Sequence, residues 1–252
     1  MPRPHPILGA LALVALLFPL APSSGATAVE PTPVKVSLSF LSLDVSINDL
    51  FFLSEDDPIP FLVPNAAPSQ PYPYFGSTTL HLYRQTDPSR GLPSTDPAQL
   101  PPPIATVQLD PQGKDLLLLF VSSGRDTPKV YTLSNDLGTF PANSFRFFNL
   151  CHFKVAGQLN SESFQIPPRS QQIIPLTEAG HPQITVQLAT LRGDDWKRVY
   201  RSKWRFNPLQ RLNVFFIPDE NQPSGIRIRR YYELAPEGEP PTSPEEEFPT
   251  ME

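Results

Sequence analysis

Residues 34–47 read VKVSLSFLSLDVSI, and their spacing decides the class of fold. Val34, Val36, Leu38 and Phe40 alternate with Lys35, Ser37 and Ser39. Neighbouring side chains on a strand face opposite sides, so a period of two marks a strand with one buried face. Leu41, Leu43, Val45 and Ile47 continue the alternation one residue out of phase. That shift predicts a β-bulge between Phe40 and Leu41.

The pattern recurs down the chain. Leu80 and Leu82 alternate with Thr79, His81 and Tyr83, and Ile184, Val186 and Leu188 alternate with Thr185, Gln187 and Ala189. Residues 116–121 are apolar without interruption, as suits a central strand covered on both faces. Further extended segments are expected at 59–63, 104–109, 129–133, 144–150, 152–156, 163–166, 172–176, 196–206, 212–217 and 226–232. Pro167-Pro168-Arg169-Ser170 and Gly193-Asp194-Asp195 supply turn chemistry between them. No helix of ten residues is expected. The predicted fold is all-β, an antiparallel β-sandwich of about 11–12 strands over residues 34–233 with proline-rich loops. It forms one large sandwich, or two split near residues 138–141.

Composition agrees. Prolines number 34 in 252 residues, well above the usual share of roughly 5%. Each interior proline costs a helix about 3 kcal/mol, which excludes a long-helix protein. A single cysteine, Cys151, excludes an internal disulfide framework and is expected to be buried as a small hydrophobe. Apolar residues make up 39% of the chain, enough for a packed core.

Residues 1–28 carry Arg3, an apolar run over 7–20 and the small-x-small triplet Ala26-Thr27-Ala28. This is the layout of a signal peptide. The run is shorter than the roughly 20 residues of a membrane-spanning helix. The expected location is periplasmic or secreted, without a membrane span after cleavage. At the other end, residues 234–252 are rich in proline and glutamate and are expected to form a disordered acidic tail.

Charge is unevenly placed. Residues 192–230 hold ten basic and four acidic side chains, and residues 231–252 hold seven acidic and none basic. The basic section contains WKRVYRSKWRF at 196–206. Strict alternation places Trp196, Arg198, Tyr200, Ser202, Trp204 and Phe206 on a core face. Lys197, Arg201, Lys203 and Arg205 then share the other face, about 6.6 Å apart. Arg227 and Arg229 repeat the arrangement on a later strand. If the two strands are neighbours, the six cations form a patch for an anionic envelope polymer or an envelope protein. Cations on an edge strand also guard against aggregation, which is the plainer explanation. The acidic tail could cover such a patch.

Catalytic signals are weak. His81, His152 and His181 follow the leader, and no two stand at metal-ligand spacing. Nucleophile-elbow, dinucleotide and phosphate-loop motifs are lacking, so neither a catalytic residue nor a cofactor is expected. Glu55-Asp56-Asp57 lacks the spacing of a calcium loop. Export and net acidity argue against nucleic acid. The expectation is a non-enzymatic binding or structural component of the cell envelope. The alternative is a carbohydrate-binding or carbohydrate-active protein that uses Tyr72, Tyr74 and Phe75 as exposed rings beside carboxylates.

Three stretches carry a resemblance. They are SLSFLSLDVSINDLFFL (37–53), SFRFFNLCHFKVAGQLNSESFQIPPRSQQIIPL (144–176) and VYRSKWRFNPLQRLNVFFIPDENQPSGIRIRRYYE (199–233). Together with the leader, they resemble a group of secreted β-proteins typical of planctomycete and verrucomicrobial bacteria. The resemblance implies an envelope β-sandwich. It implies no activity, because the group has none to carry over.

Overall fold

The structure is a computed structural model and describes residues 33–85, 91, 95–121, 127–176, 183–193 and 195–234. The predicted leader, His181, Asp194, much of the proline-rich stretch 86–94 and residues 235–252 of the acidic tail lie outside the described residues.

The chain is all-β and sandwich-like, with sixteen strands among the described residues. The first eight are β1 (Val34–Ser42), β2 (Ile47–Ser54), β3 (Asp57–Val63), β4 (Tyr72–Gly76), β5 (Thr79–Arg84), β6 (Ala105–Gln108), β7 (Asp115–Val121) and β8 (Lys129–Ser134). The second eight are β9 (Ser144–Asn149), β10 (Val155–Leu159), β11 (Glu162–Ile166), β12 (Gln171–Pro175), β13 (Gln183–Arg192), β14 (Asp195–Arg205), β15 (Gln210–Pro218) and β16 (Ile226–Leu234). The extra strands are mostly short or proline-bearing. β3 contains the extended piece expected at 59–63; it and Tyr72–Gly76, which is an extra strand, hold prolines and lie at sheet edges, where a missing N–H is tolerated.

The strands form four sheets, ordered β3-β2-β5-β6, β4-β1-β7-β8, β12-β9-β15-β16 and β11-β10-β13-β14. Adding eight to every label of the first pair of sheets generates the second pair. Directions agree as well: β1 runs parallel to β7 and β9 parallel to β15, and the other neighbours are antiparallel. Equivalent backbone bonds recur, with Leu43 N–H donating to Phe120 O at 3.0 Å and Leu150 N–H to Phe216 O at 2.9 Å. The fold is thus one eight-stranded sandwich used twice, with the handover between β8 and β9. Sequence retains little of this beyond Phe40-Leu41-Ser42-Leu43 matching Phe147-Phe148-Asn149-Leu150.

Each copy has its own core. Leu38, Phe40, Phe52, Phe61, Leu118 and Phe120 centre the first, and Phe147, Phe164, Val186, Trp204, Val214 and Phe216 the second. A third cluster joins the two inner sheets. It contains Leu41, Leu117, Leu119 and Leu133 from the first copy and Phe148, Phe215, Ile217 and Tyr231 from the second. The inner strands are therefore buried on both faces, as the apolar run in β7 predicts.

This corrects the expected bulge in β1. Phe40 pairs with Leu118 and Leu41 with Leu119 in unbroken register. Both side chains are buried because Phe40 enters the first core and Leu41 enters the inter-sheet cluster. The shift in phase marks a change from one covered face to two.

A polar cluster lies in the layer between the inner sheets. Glu233 accepts from Arg211 Nε at 3.1 Å, Asn213 Nδ2 at 2.8 Å and Asn135 Nδ2 at 3.2 Å. Arg146 is almost fully buried. Its Nη2 donates to Asn135 Oδ1 at 2.9 Å and its guanidinium lies 3.9 Å from the centre of the Phe140 ring. Its Nε and Nη1 meet no acceptor among the described residues. Burial pulls the Arg146 pKa down to about 9; Glu233 opposes that shift and Arg211 adds to it.

The folded-state value lies below the unfolded one, so the cation is held at a cost below pH 9. That cost fades as pH rises through 9 towards the unfolded value. Replacing a poorly paired buried cation by an apolar side chain of similar length is expected to be neutral or stabilising. Arg146→Met should therefore match or exceed the parent in denaturant unfolding at pH 7, by up to about 3 kcal/mol, and the gain should shrink above pH 9. Glu233→Gln should lose about 3–5 kcal/mol, because two buried guanidiniums lose their counter-charge.

Candidate functional site

Strand β14 is the edge of the second outer sheet and pairs only with β13. Its register to β13 shifts between Leu188 and Ala189, which pair with Tyr200 and Arg198 and leave Val199 as the extra residue. A bulge places two successive side chains on one side. Accordingly Val199 and Tyr200 both pack against the second core.

The bulge inverts the predicted faces over residues 196–198. Opposed residues in an antiparallel pair share a face. Lys197 lies opposite Thr190, which is buried with Leu188 and Val186, so Lys197 is on the core side. It lines a surface pocket with His152, Asp219 and Glu220. Trp196 and Arg198 lie opposite Leu191 and Ala189 and belong to the outward face. Trp196 is 43% exposed, correcting its assignment to the core, whereas Trp204 is 2% exposed. The Trp204 indole N–H donates to Tyr200 Oη at 2.9 Å.

Of the six candidate residues, three share the outward face of β14: Arg201, Lys203 and Arg205, all exposed. Arg198, which the sequence places on the core face, joins them. Arg227 and Arg229 stand on β16, in a different sheet. Arg227 is paired with Asp44 of the first copy at 2.9 Å, and Arg229 lies on the same side of β16, towards the inner sheets. The patch expected from two neighbouring strands is replaced by a row on one strand.

The rest of that outer face is neutral. Gln158, Ser163, Gln165, Thr185 and Gln187 point outward with the cations, and Gln187 Nε2 donates to Gln158 Oε1 at 3.2 Å. Among the described residues this face carries no carboxylate. Neither ion pair described above reaches the row. The surface is a flat sheet of amides and hydroxyls, bordered by four cations and one exposed indole. Such a face can hold an extended anionic chain by charge-assisted hydrogen bonds, with the arginines offering planar forks to carboxylate or phosphate.

The aromatic alternative changes shape. Tyr74 is 4% exposed and donates to Ser77 O at 2.7 Å, and Tyr72 packs on the first core. Phe75 is 38% exposed and lines a cleft of about 870 Å³ with Lys35, Lys114, Glu55 and Asp57. Glu55 and Asp56 both adopt positive φ, 51° and 67°, and close the β2–β3 hairpin. Hairpin turns of this kind demand that conformation, which accounts for the acidic triplet without a cation. Among the described residues no group of three His, Cys, Asp or Glu could hold a metal ion. Cys151 is buried, its Sγ 3.6 Å from Phe216 O. It sits in a bend that also holds His152 and Phe153, so the strand expected at 152–156 begins only at Val155. No helix among the described residues is long and apolar enough to cross a membrane.

The sequence matches no family model and no curated protein.

The two tryptophans give a direct check of the bulge. Trp196→Phe should change stability by less than about 0.5 kcal/mol and remove most acrylamide-quenchable fluorescence. Trp204→Ala should cost about 3–5 kcal/mol in denaturant unfolding.

Proposed function

We propose that this is an exported, non-enzymatic binding protein that holds an extended anionic polymer of the cell envelope against the outward face of β14. The observation that carries the reading is the row Arg198, Arg201, Lys203 and Arg205 beside Trp196, on a face without carboxylates among the described residues.

The internal repeat weakens the plainer explanation. Edge protection is a need of both copies, and the strand equivalent to β14 is β6. That strand has four residues, Ala-Thr-Val-Gln, with no cation. It is guarded by its shortness and by Pro101, Pro102 and Pro103 just before it. β14 has eleven residues, and its cations are added to one copy alone. The contact is electrostatic, so it weakens as salt shortens the Debye length below about 10 Å. The carbohydrate reading keeps one favourable observation, the exposed Phe75 beside Glu55 and Asp57 in the β4 cleft. A neutral glycan would bind there independently of β14.

Polygalacturonate and neutral dextran, tested against the whole protein, separate the two. Polygalacturonate should bind at low salt and lose at least tenfold in affinity at 0.5 M salt. The variant Arg198→Glu, Arg201→Glu, Lys203→Glu, Arg205→Glu should lose binding, and Lys197→Glu, on the other face, should keep it. Equal binding by the four-site variant would refute the assignment. Dextran binding lost on Phe75→Ala would favour the cleft.

A further inference from the structure

We infer that the free edge of β16 pairs with β16 of a second molecule of this chain, antiparallel and about a two-fold axis at Tyr231. The sheet β12-β9-β15-β16 then continues into the other molecule. This goes beyond the function proposed above and does not depend on it.

The backbone of β16 has one side to give. β16 is the outer strand of its sheet and pairs only with β15. Along a strand, successive residues direct their N–H and C=O to opposite neighbours. Phe216 O accepts from Leu150 N–H at 2.9 Å and Gln210 O from Asn143 N–H at 2.8 Å, so the even residues of β15 turn towards β9. Its odd residues, Arg211, Asn213, Phe215 and Ile217, turn towards β16, where they lie opposite Glu233, Tyr231, Arg229 and Arg227. The hairpin closes in step, with Asp219 N–H donating to Gly225 O at 3.0 Å. Ile226, Ile228, Arg230, Tyr232 and Leu234 therefore direct their backbone groups to the free edge. At Ile226 the Ser224 hydroxyl answers both, donating to the carbonyl at 2.8 Å and accepting from the N–H at 3.4 Å. Those of Ile228, Arg230 and Tyr232 meet no partner among the described residues.

Such an edge invites another strand, and folds usually blunt it with proline, a bulge or shortness. β3, β4 and β12 carry prolines, β6, β8 and β11 have at most six residues, and β14 is bulged. β16 has nine residues in unbroken register and no proline.

The side chains choose the partner and the register. Hydrogen-bonded pairs must join even residues to even residues, because only those have free groups. A two-fold axis at Arg229 or Arg230 would set that arginine against itself. An axis at Tyr231 sets Arg229 against the other molecule's Glu233, Arg230 against its Tyr232 and Ile228 against its Leu234, and each contact is made twice. Glu233 already accepts from Arg211, Asn213 and Asn135, so its part in the register is opposed charge. Tyr232 and Leu234 are 40% and 71% exposed in one molecule, and this pairing sets other apolar or aliphatic groups against both. The axis stands perpendicular to the sheet, so the outward faces of the two β14 strands turn the same way.

Sedimentation velocity on the whole protein, with no polymer present, tests the pairing. A reversible dimer is expected at concentrations up to about 0.1 mM. Arg230→Pro removes an N–H that β15 does not use, so the fold should persist while association weakens at least about tenfold. Arg229→Glu sets carboxylate against carboxylate and should weaken it about tenfold as well. Amide exchange gives a second readout: the N–H groups of Ile228, Arg230 and Tyr232 should gain protection as concentration rises. A monomer throughout, or a dimer that leaves those three amides unprotected, would overturn the proposal. A dimer weakened by Arg230→Pro and untouched by Arg229→Glu would overturn the register. Should Arg230→Pro not fold, Arg229→Glu and the exchange pattern decide the matter. None of these outcomes depends on whether β14 binds polygalacturonate.

Discussion

The contact between the two inner sheets sets the terms for everything else. Leu41, Leu117, Leu119 and Leu133 meet Phe148, Phe215, Ile217 and Tyr231 across it. Each such side chain contributes about 1.5–3 kcal/mol when removed from water. A sandwich of eight strands standing alone would expose this surface. Joined, the copies form four layers in which β1, β7, β9 and β15 are covered on both faces, and only the outermost sheets keep a face to solvent. The polar contacts across the layer, Arg227 with Asp44 and Tyr231 Oη with Asn65 O, fix how one copy meets the other.

Burial on both sides also explains where charge can and cannot go. Arg146 and Arg211 are tolerated between the layers because Glu233, Asn135 and the Phe140 ring answer them. Arg227 and Arg230 are answered by Asp44 and by the Trp204 ring. Every one of these cations has a partner within the fold. The row on β14 has none among the described residues, although it is equally close in sequence to acidic side chains. What sets the row apart is that its four cations stand together on one flat face that carries no carboxylate among the described residues.

Much of the fold is legible in the sequence, and the misreadings share a cause. The all-β class follows from alternation and proline, and β7 from its unbroken apolar run. In β1 the alternation fails because Phe40 and Leu41 enter different cores, and a one-dimensional pattern cannot separate two covered faces from a bulge. In β14 the reverse holds. The bulge at Val199 is real, yet the sequence around it alternates in hydropathy, so Trp196 and Arg198 exchange sides with Lys197 unseen. Arg227 and Arg229 alternate as expected, but which sheet they join depends on topology. The duplication is nearly silent, because equivalent positions need only be apolar: Leu116 matches Leu212, Leu118 matches Val214 and Phe120 matches Phe216.

Duplication makes the asymmetry between the copies informative. Two structurally equivalent edges, β6 and β14, are protected by different means, and β6 is also approached by Thr132 of β8, whose Oγ1 donates to Gln108 O at 3.5 Å. Four residues behind three prolines suffice at β6. At β14 the strand is extended to eleven residues and its outer side is charged. Like charges about 6.6 Å apart repel by roughly 0.6 kcal/mol per pair in water, and less in salt. That cost is small beside the core energies, but it opposes folding and a shorter strand would avoid it. A lengthened edge that carries this repulsion is what favours the proposal that an extended anionic partner meets this face over edge protection alone.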